Sequence, residues 1–181
     1  MGKQLDSITE ELADFISSQK VFFVGTAAGE GRVNVSPKGT DSFRVIGPNK
    51  VVWVNLTGSG NETAAHLLLN PRMTVMFCAF EGKPLILRLY GDARIFHQRD
   101  PEFGDYIGLF PPNAGSRQII EMDVDLVQTS CGFAVPFMDF KEERETLNAW
   151  SAKQGKEGIA EYWERKNTQS IDGFETGILG E

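Results

Sequence analysis

Two short stretches place polar donors and a lysine where an anion could be held. In residues 33–39, VNVSPKG, strand alternation sets Asn34, Ser36 and Lys38 on one side and Val33 and Val35 on the other, until Pro37 disturbs the ladder. A lysine beside a serine at a strand end can neutralise a phosphate; it also fits an ordinary exposed charge. In residues 52–77, VWVNLTGSGNETAAHLLLNPRMTVMF, a hydrophobic strand ends in a polar, glycine-containing turn that opens a helix. Such a turn gathers free backbone N–H groups, hydroxyls and the positive end of a helix dipole, which is what a phosphate requires. Thr57, Ser59, Asn61 and Thr63 supply the side-chain donors. The same residues also read as a helix cap, with Ser59 or Asn61 at the cap and Glu62 in the first turn.

Other reactive side chains give weaker signals. In residues 128–136, QTSCGFAVP, a strand ends at Ser-Cys-Gly, and the glycine permits close backbone approach. No His or Lys neighbours Cys131 in sequence to activate its thiol, so a strand end with a buried free cysteine is the plainer reading. Cys78 and Cys131 do not cluster, and free thiols in a reducing compartment are expected. His66 reads as a helix-face residue and His97 as a surface one, and neither has partners at metal-ligand spacing. No nucleophile elbow, Walker A loop or complete G-x-G-x-x-G fingerprint is present.

These residues need a frame, and the periodicity supplies one. An amphipathic helix is expected over residues 7–18, with Ile8, Leu12, Phe15 and Ile16 on one face and Thr9 or Ser7 as cap. Short strands follow in VFFVGTA, GRVNVSP, SFRVIG and KVVWVNLT, separated by hairpin-sized turns. A helix through AAHLLL, strands in MTVMFCAF and PLILRLYGDARIF, a short helix opened by Asp100 and Pro101, and a strand in RQIIEMDVDLVQTS complete the pattern. Strands joined by tight turns, with helices at a few connections and at both ends, predict a mainly β fold: an antiparallel barrel with peripheral helices. Residues 1–137 are expected to form the barrel with its N-terminal helix, and residues 138–181 a helical extension packed on it.

Bulk properties narrow the function classes. A chain of 181 residues is expected to be one compact unit with no need of disulfides. A formal charge of −7 argues against a nucleic-acid surface. The absence of a long apolar run argues against a membrane span, and the start has no secretory h-region, so a cytoplasmic protein is expected.

Taken together, VNVSPKG, VWVNLTGSGNETAAHLLLNPRMTVMFCAF and LILRLYGDARI resemble the pyridoxamine 5′-phosphate oxidase family, over residues 20–136. The resemblance implies a split β-barrel of Greek-key-like topology that forms a homodimer, with FMN in each of two clefts between subunits. Carried over position by position, Ser36 and Lys38 would meet FMN first, and Asn55, Thr57, Ser59, Asn61 and Thr63 would line its ribityl and phosphate end. Arg88, on the LRLYG strand, is a further candidate from either subunit, and Cys131 and Gly132 are expected to approach the flavin from the partner. Trp53, Met76, Phe77 and Phe80 fit either the walls of a flavin slot or ordinary core.

The tail departs from the family pattern. True pyridoxamine phosphate oxidases end on a strand with a tryptophan and an arginine that hold flavin and substrate, whereas this chain ends in YWERKNTQSIDGFETGILGE. Vitamin B6 oxidation is therefore not expected. Trp163, Lys166, Asn167 and Ser170 read either as folding back over a cleft or as part of a solvated helix with one packed aromatic face. The implied activity is an FMN-dependent oxidoreductase passing electrons or hydride from a reduced nicotinamide to a small acceptor, with no catalytic residue identified. The alternatives are a flavin- or haem-binding protein without turnover, and a deazaflavin-dependent enzyme.

Overall fold

A computed structural model describes residues 2–180. The strands are β1 (Lys3–Leu5), β2 (Phe22–Thr26), β3 (Asn34–Lys38), β4 (Phe43–Gly47), β5 (Lys50–Leu56), β6 (Arg72–Cys78), β7 (Ile86–His97) and β8 (Ser116–Ser130). The helices are α1 (Glu10–Ser18), α2 (Glu62–Leu69), α3 (Pro101–Ile107) and α4 (Thr146–Lys166). Every strand pairing is antiparallel, in the order β3-β2-β6-β7-β8-β5-β4. This is the mainly β architecture with peripheral helices that the turn spacing predicts.

The spine is β8. One edge pairs with β7 from His97↔Gln118 to Ile86↔Ser130, while the other pairs first with β5 and then with the short β1. The right-handed twist of long strands curls the sheet upon itself. Its two halves meet at Phe22 of β2 and Phe43 of β4, with ring centroids 4.9 Å apart, and Phe77 of β6 packs against both. Trp53 and Phe77 are completely buried in this core with Val24, Leu87, Leu89 and Ile120. Of the candidate flavin walls, these two are therefore core residues.

β5 is buried along both faces, and so it reads as a continuous apolar run where a half-solvated strand would alternate. Trp53 points into the barrel; Val52 and Val54 join Ile119 in a second cluster covered by Phe110 and by Phe103, Tyr106 and Ile107 of the α3 region. A close backbone approach marks the β7–β8 pairing. Register shifts between Tyr90 and Gly91, and a Cβ on Gly91 would collide with the Asp123 carbonyl oxygen, so glycine is required there.

The helices differ from expectation at their ends. Thr9 caps α1, its side chain accepting from the Leu12 N–H, and the helix starts at Glu10. The tail is not helical from Met138: α4 begins at Thr146 and is kinked at Gly155, where φ is +65°. The segment before α4 leaves Phe133, Phe137 and Met138 exposed. Among the described residues no helix is long and apolar enough to cross a membrane.

Candidate functional site

The two sequence stretches converge on one cleft of ≈ 230 Å³. β3 contributes Asn34, Ser36 and Lys38, and β5 contributes Asn55 and Leu56. The turn into α2 contributes Gly58 to Thr63, and Arg117 enters from β8. The pairing explains the convergence. β3 and β5 lie in opposite halves of the curled sheet, and alternation along β3 turns Asn34, Ser36 and Lys38 inward while Val33 and Val35 stay exposed.

The turn makes little use of its capping residues. Asn61 occupies the N-cap of α2, yet its side chain makes no cap hydrogen bond. Its Nδ2 donates instead to the Asn167 carbonyl at 3.2 Å, and its Oδ1 is buried without a partner. Ser36 Oγ is likewise buried without a partner. Thr63 Oγ1 accepts from Asn34 Nδ2 at 3.2 Å, and that amide also donates to Thr26 Oγ1 at 3.0 Å. The hydroxyl of Thr26 meets Nδ1 of the buried His66 at 3.1 Å.

Two cations border the cleft. Lys38 Nζ lies 3.4 Å from Asn55 Oδ1 and 5.3 Å over the Trp53 ring. Burial pushes its ammonium down to about 8, with the charge of Arg117 adding to the effect. Arg117 is almost wholly buried, and burial lowers it to about 10. Its guanidinium donates to the Gly60 carbonyl at 3.0 Å and to Asn167 Oδ1 at 2.7 Å, while its Nε has no partner. Among the described residues neither cation forms an ion pair. Glu62 is the carboxylate lining the cleft, and its Oε1 accepts from the Ile171 N–H at 3.0 Å. Two cations without carboxylate partners, the orphaned Ser36 hydroxyl and a helix start give the cleft donors of the kind an oxyanion needs, whereas Asn61 Oδ1 is an acceptor that only an N–H or O–H could satisfy.

Other expected residues fall elsewhere. Thr57 is buried behind the turn: its hydroxyl donates to the Gly115 carbonyl at 2.9 Å and accepts from Trp163 Nε1 at 3.0 Å. Arg88 lies on β7, paired opposite Gln128, and donates to Ser130 Oγ at 3.1 Å, outside the cleft. Cys131 is exposed just beyond β8, not buried. Gly132 has φ +64°, and a Cβ there would press within 3.0 Å of the Leu85 N, so its close approach is to the β6–β7 loop of its own chain. His97 is buried, not a surface residue, because the chain end at Gly177 lies against it. Among the described residues no group of three His, Cys, Asp or Glu side chains could hold a metal ion.

Arg117 is the cleft residue that the sequence reading misses, and for Asn167 the structure selects the first of its two readings, folding back over the cleft. Arg117 lies between Ser116 and Gln118 at the start of β8, ahead of the apolar Ile119 and Ile120, so its local signal is that of an exposed strand end. Asn167 lies in the tail, which does fold back: Trp163 and Asn167 reach the turn, and Asp172 pairs with Arg32.

A family profile described as "Pyridoxamine 5'-phosphate oxidase" matches residues 8–131. A pyridoxamine 5′-phosphate oxidase family protein of Aspergillus flavus, ustO, is 36% identical over 189 residues, spanning 93% of this chain and 75% of that protein. A Lactobacillus delbrueckii structure named for pyridoxamine 5′-phosphate oxidase superposes with a TM-score of 0.54 at 15% identity, covering 68% of this chain and 94% of its own. A histidine-to-alanine variant of HupZ from Group A Streptococcus gives a TM-score of 0.52 at 18% identity, covering 68% of this chain and 99% of its own. Those two structures establish the split-barrel fold alone; with the profile and the fungal relative, the chain belongs to the pyridoxamine 5′-phosphate oxidase family.

Proposed function

We propose that this chain is an FMN-binding oxidoreductase, holding the phosphate end of the cofactor in the cleft between β3, β5 and α2 and acting on a small-molecule substrate as a homodimer. One observation carries the proposal: Lys38 and Arg117 both border the cleft, both are pushed down by burial, and neither has a carboxylate partner. A cation taken out of water without a counter-charge destabilises the fold, and a phosphate supplies the missing charge. The residues present fit that group. Lys38 and Arg117 would balance it, Ser36, Ser59 and Thr63 would donate to its oxygens, and Asn55 holds Lys38 in place.

A cleft of ≈ 230 Å³ is smaller than the roughly 300–1,000 Å³ that encloses a whole drug-sized ligand. It suits a phosphate and the adjoining ribityl carbons, leaving the ring to lie outward. Val33 and Val35 are exposed beside it, a surface that a second chain could cover. In such a homodimer the exposed Cys131, with Arg88 and Gly132 beside it off this cleft, would be the group offered to the partner's. The bound isoalloxazine would supply the hydride and electron chemistry. The free thiols of Cys78 and Cys131 support a reducing compartment such as the cytoplasm.

One observation favours a second reading, a flavin-binding protein without turnover. The ionisable residues lining the cleft are Lys38, Glu62 and Arg117; Glu62 is engaged by the tail, and Lys38, though lowered to about 8, would be committed to the phosphate, so neither is left over as a general acid or base. Two measurements on purified protein test both readings. Saturable FMN binding, weakened by Lys38→Ala, supports the cleft, and a protein that ignores FMN refutes it, with deazaflavin and haem as the next ligands to try. NADH or NADPH oxidation by the holoprotein supports the enzyme; no reduction by either nucleotide supports binding without turnover.

A further inference from the structure

We propose that Asn167, at the end of α4, is a positioning residue of the cleft, aiming Arg117 at the phosphate without neutralising it. This rests on the phosphate reading of the cleft. Asn167 is completely buried, and both polar atoms of its amide are engaged. Its Oδ1 accepts from Arg117 Nη1 at 2.7 Å, and its Nδ2 donates to the Gly58 carbonyl at 3.0 Å. Its own carbonyl accepts from Asn61 Nδ2 at 3.2 Å and from the Thr176 hydroxyl. One side chain therefore ties the guanidinium to the turn, and its backbone ties both to the end of the chain.

The choice of an amide matters. The Gly58 and Gly60 carbonyls are both occupied, by Asn167 and Arg117, so their lone pairs do not confront an incoming anion. A carboxylate at the same place would grip the guanidinium at least as firmly but cancel its charge. A short hydroxyl or a methyl would leave the charge and lose the aim. A neutral acceptor of asparagine length keeps both the charge and the aim, and it leaves Arg117 Nε without a protein partner. Asn167 lies beyond the 8–131 span of the family match, so this contact belongs to the C-terminal extension.

FMN and riboflavin differ by the phosphate alone, so the ratio of their affinities reads the phosphate contacts. The full chain, Asn167→Asp and Asn167→Ser are each titrated with both, alongside thermal unfolding. The native chain should prefer FMN by roughly tenfold or more, and Asn167→Asp, which cancels the guanidinium charge and also loses the donor to the Gly58 carbonyl, should lose most of that preference, its FMN affinity falling well beyond its riboflavin affinity. Asn167→Ser should lose part of it. A merely structural role would weaken both ligands alike. Variants that retain the native FMN-to-riboflavin ratio overturn the role of Asn167 and leave the cleft standing; a native chain with no preference for FMN removes both. If Asn167→Asp does not fold, Asn167→Ser decides by the same ratio.

Discussion

Lys38 Nζ lies 3.4 Å from Asn55 Oδ1, while Asn55 Nδ2 donates to Gln118 Oε1 at 2.9 Å. A buried amide pair thus orients the ammonium of an edge strand from the opposite half of the sheet. The ammonium is held by a neutral oxygen, so its charge remains available to a ligand.

That charge is lost at moderate alkalinity. Burial lowers Lys38 from 10.5 to about 8, so in the free protein the ammonium deprotonates as pH rises through that value. A phosphate monoester, with a second pKa of about 6, is nearly fully ionised above about 7. FMN affinity should therefore be level between these limits and fall above pH 8, and the fall should vanish in Lys38→Met. The sign for stability is opposite. The unfolded chain keeps the proton up to 10.5, so the contribution of Lys38 to stability rises with pH between 8 and 10.5. Titrations at a series of pH values check both directions.

His97 should make the fold acid-sensitive. Burial, with the charge of Arg99 and a smaller one from Arg117, pushes it down to about 4 against the pull of Asp100. Its contribution is complete above 6.5 and is lost as pH falls toward 4, because the unfolded chain takes up the proton first. His97→Gln should flatten the loss of stability between pH 6.5 and 4 relative to the native chain, by a few kcal/mol at most. Urea unfolding at stepped pH measures it.

The tail contributes to stability as well as to the site. Trp163→Phe keeps an aromatic ring but removes the hydrogen bond to Thr57 Oγ1, and it should cost about 1 kcal/mol. Chemical denaturation of the full chain, with the denaturant slope unchanged, is the check.

Gly91→Ala should be far worse than its one methyl suggests. The new Cβ would meet the Asp123 carbonyl in a backbone-to-backbone contact that no rotamer change relieves. A loss of about 3 kcal/mol or more is expected, whereas Gly29→Ala, with open space around it, should be close to neutral. Thermal unfolding of both variants separates the two cases.

The strands, the curl and half of the cleft were legible because they follow from short-range periodicity. Alternation alone puts Asn34, Ser36 and Lys38 on one side of β3, and the glycine-rich turn announces the start of α2. Arg117 was not legible, and Asn167 only as one of two alternatives, because their contact is made across 50 residues of chain. β1 escaped notice because three residues carry no period, and it exists only by pairing with the far end of β8. The tail stayed ambiguous for the same reason: its sequence has a weak apolar face, and polar contacts to the turn, together with buried Ile178, hold its end.

The most direct measurement is a titration of the native apoprotein with FMN and with riboflavin under identical conditions, followed by the visible flavin bands. Saturable binding with FMN preferred by roughly tenfold or more is the expected result, since only FMN brings a phosphate to Lys38 and Arg117. Equal affinity for the two, or no binding of FMN, would contradict the assignment of this cleft as a phosphate site.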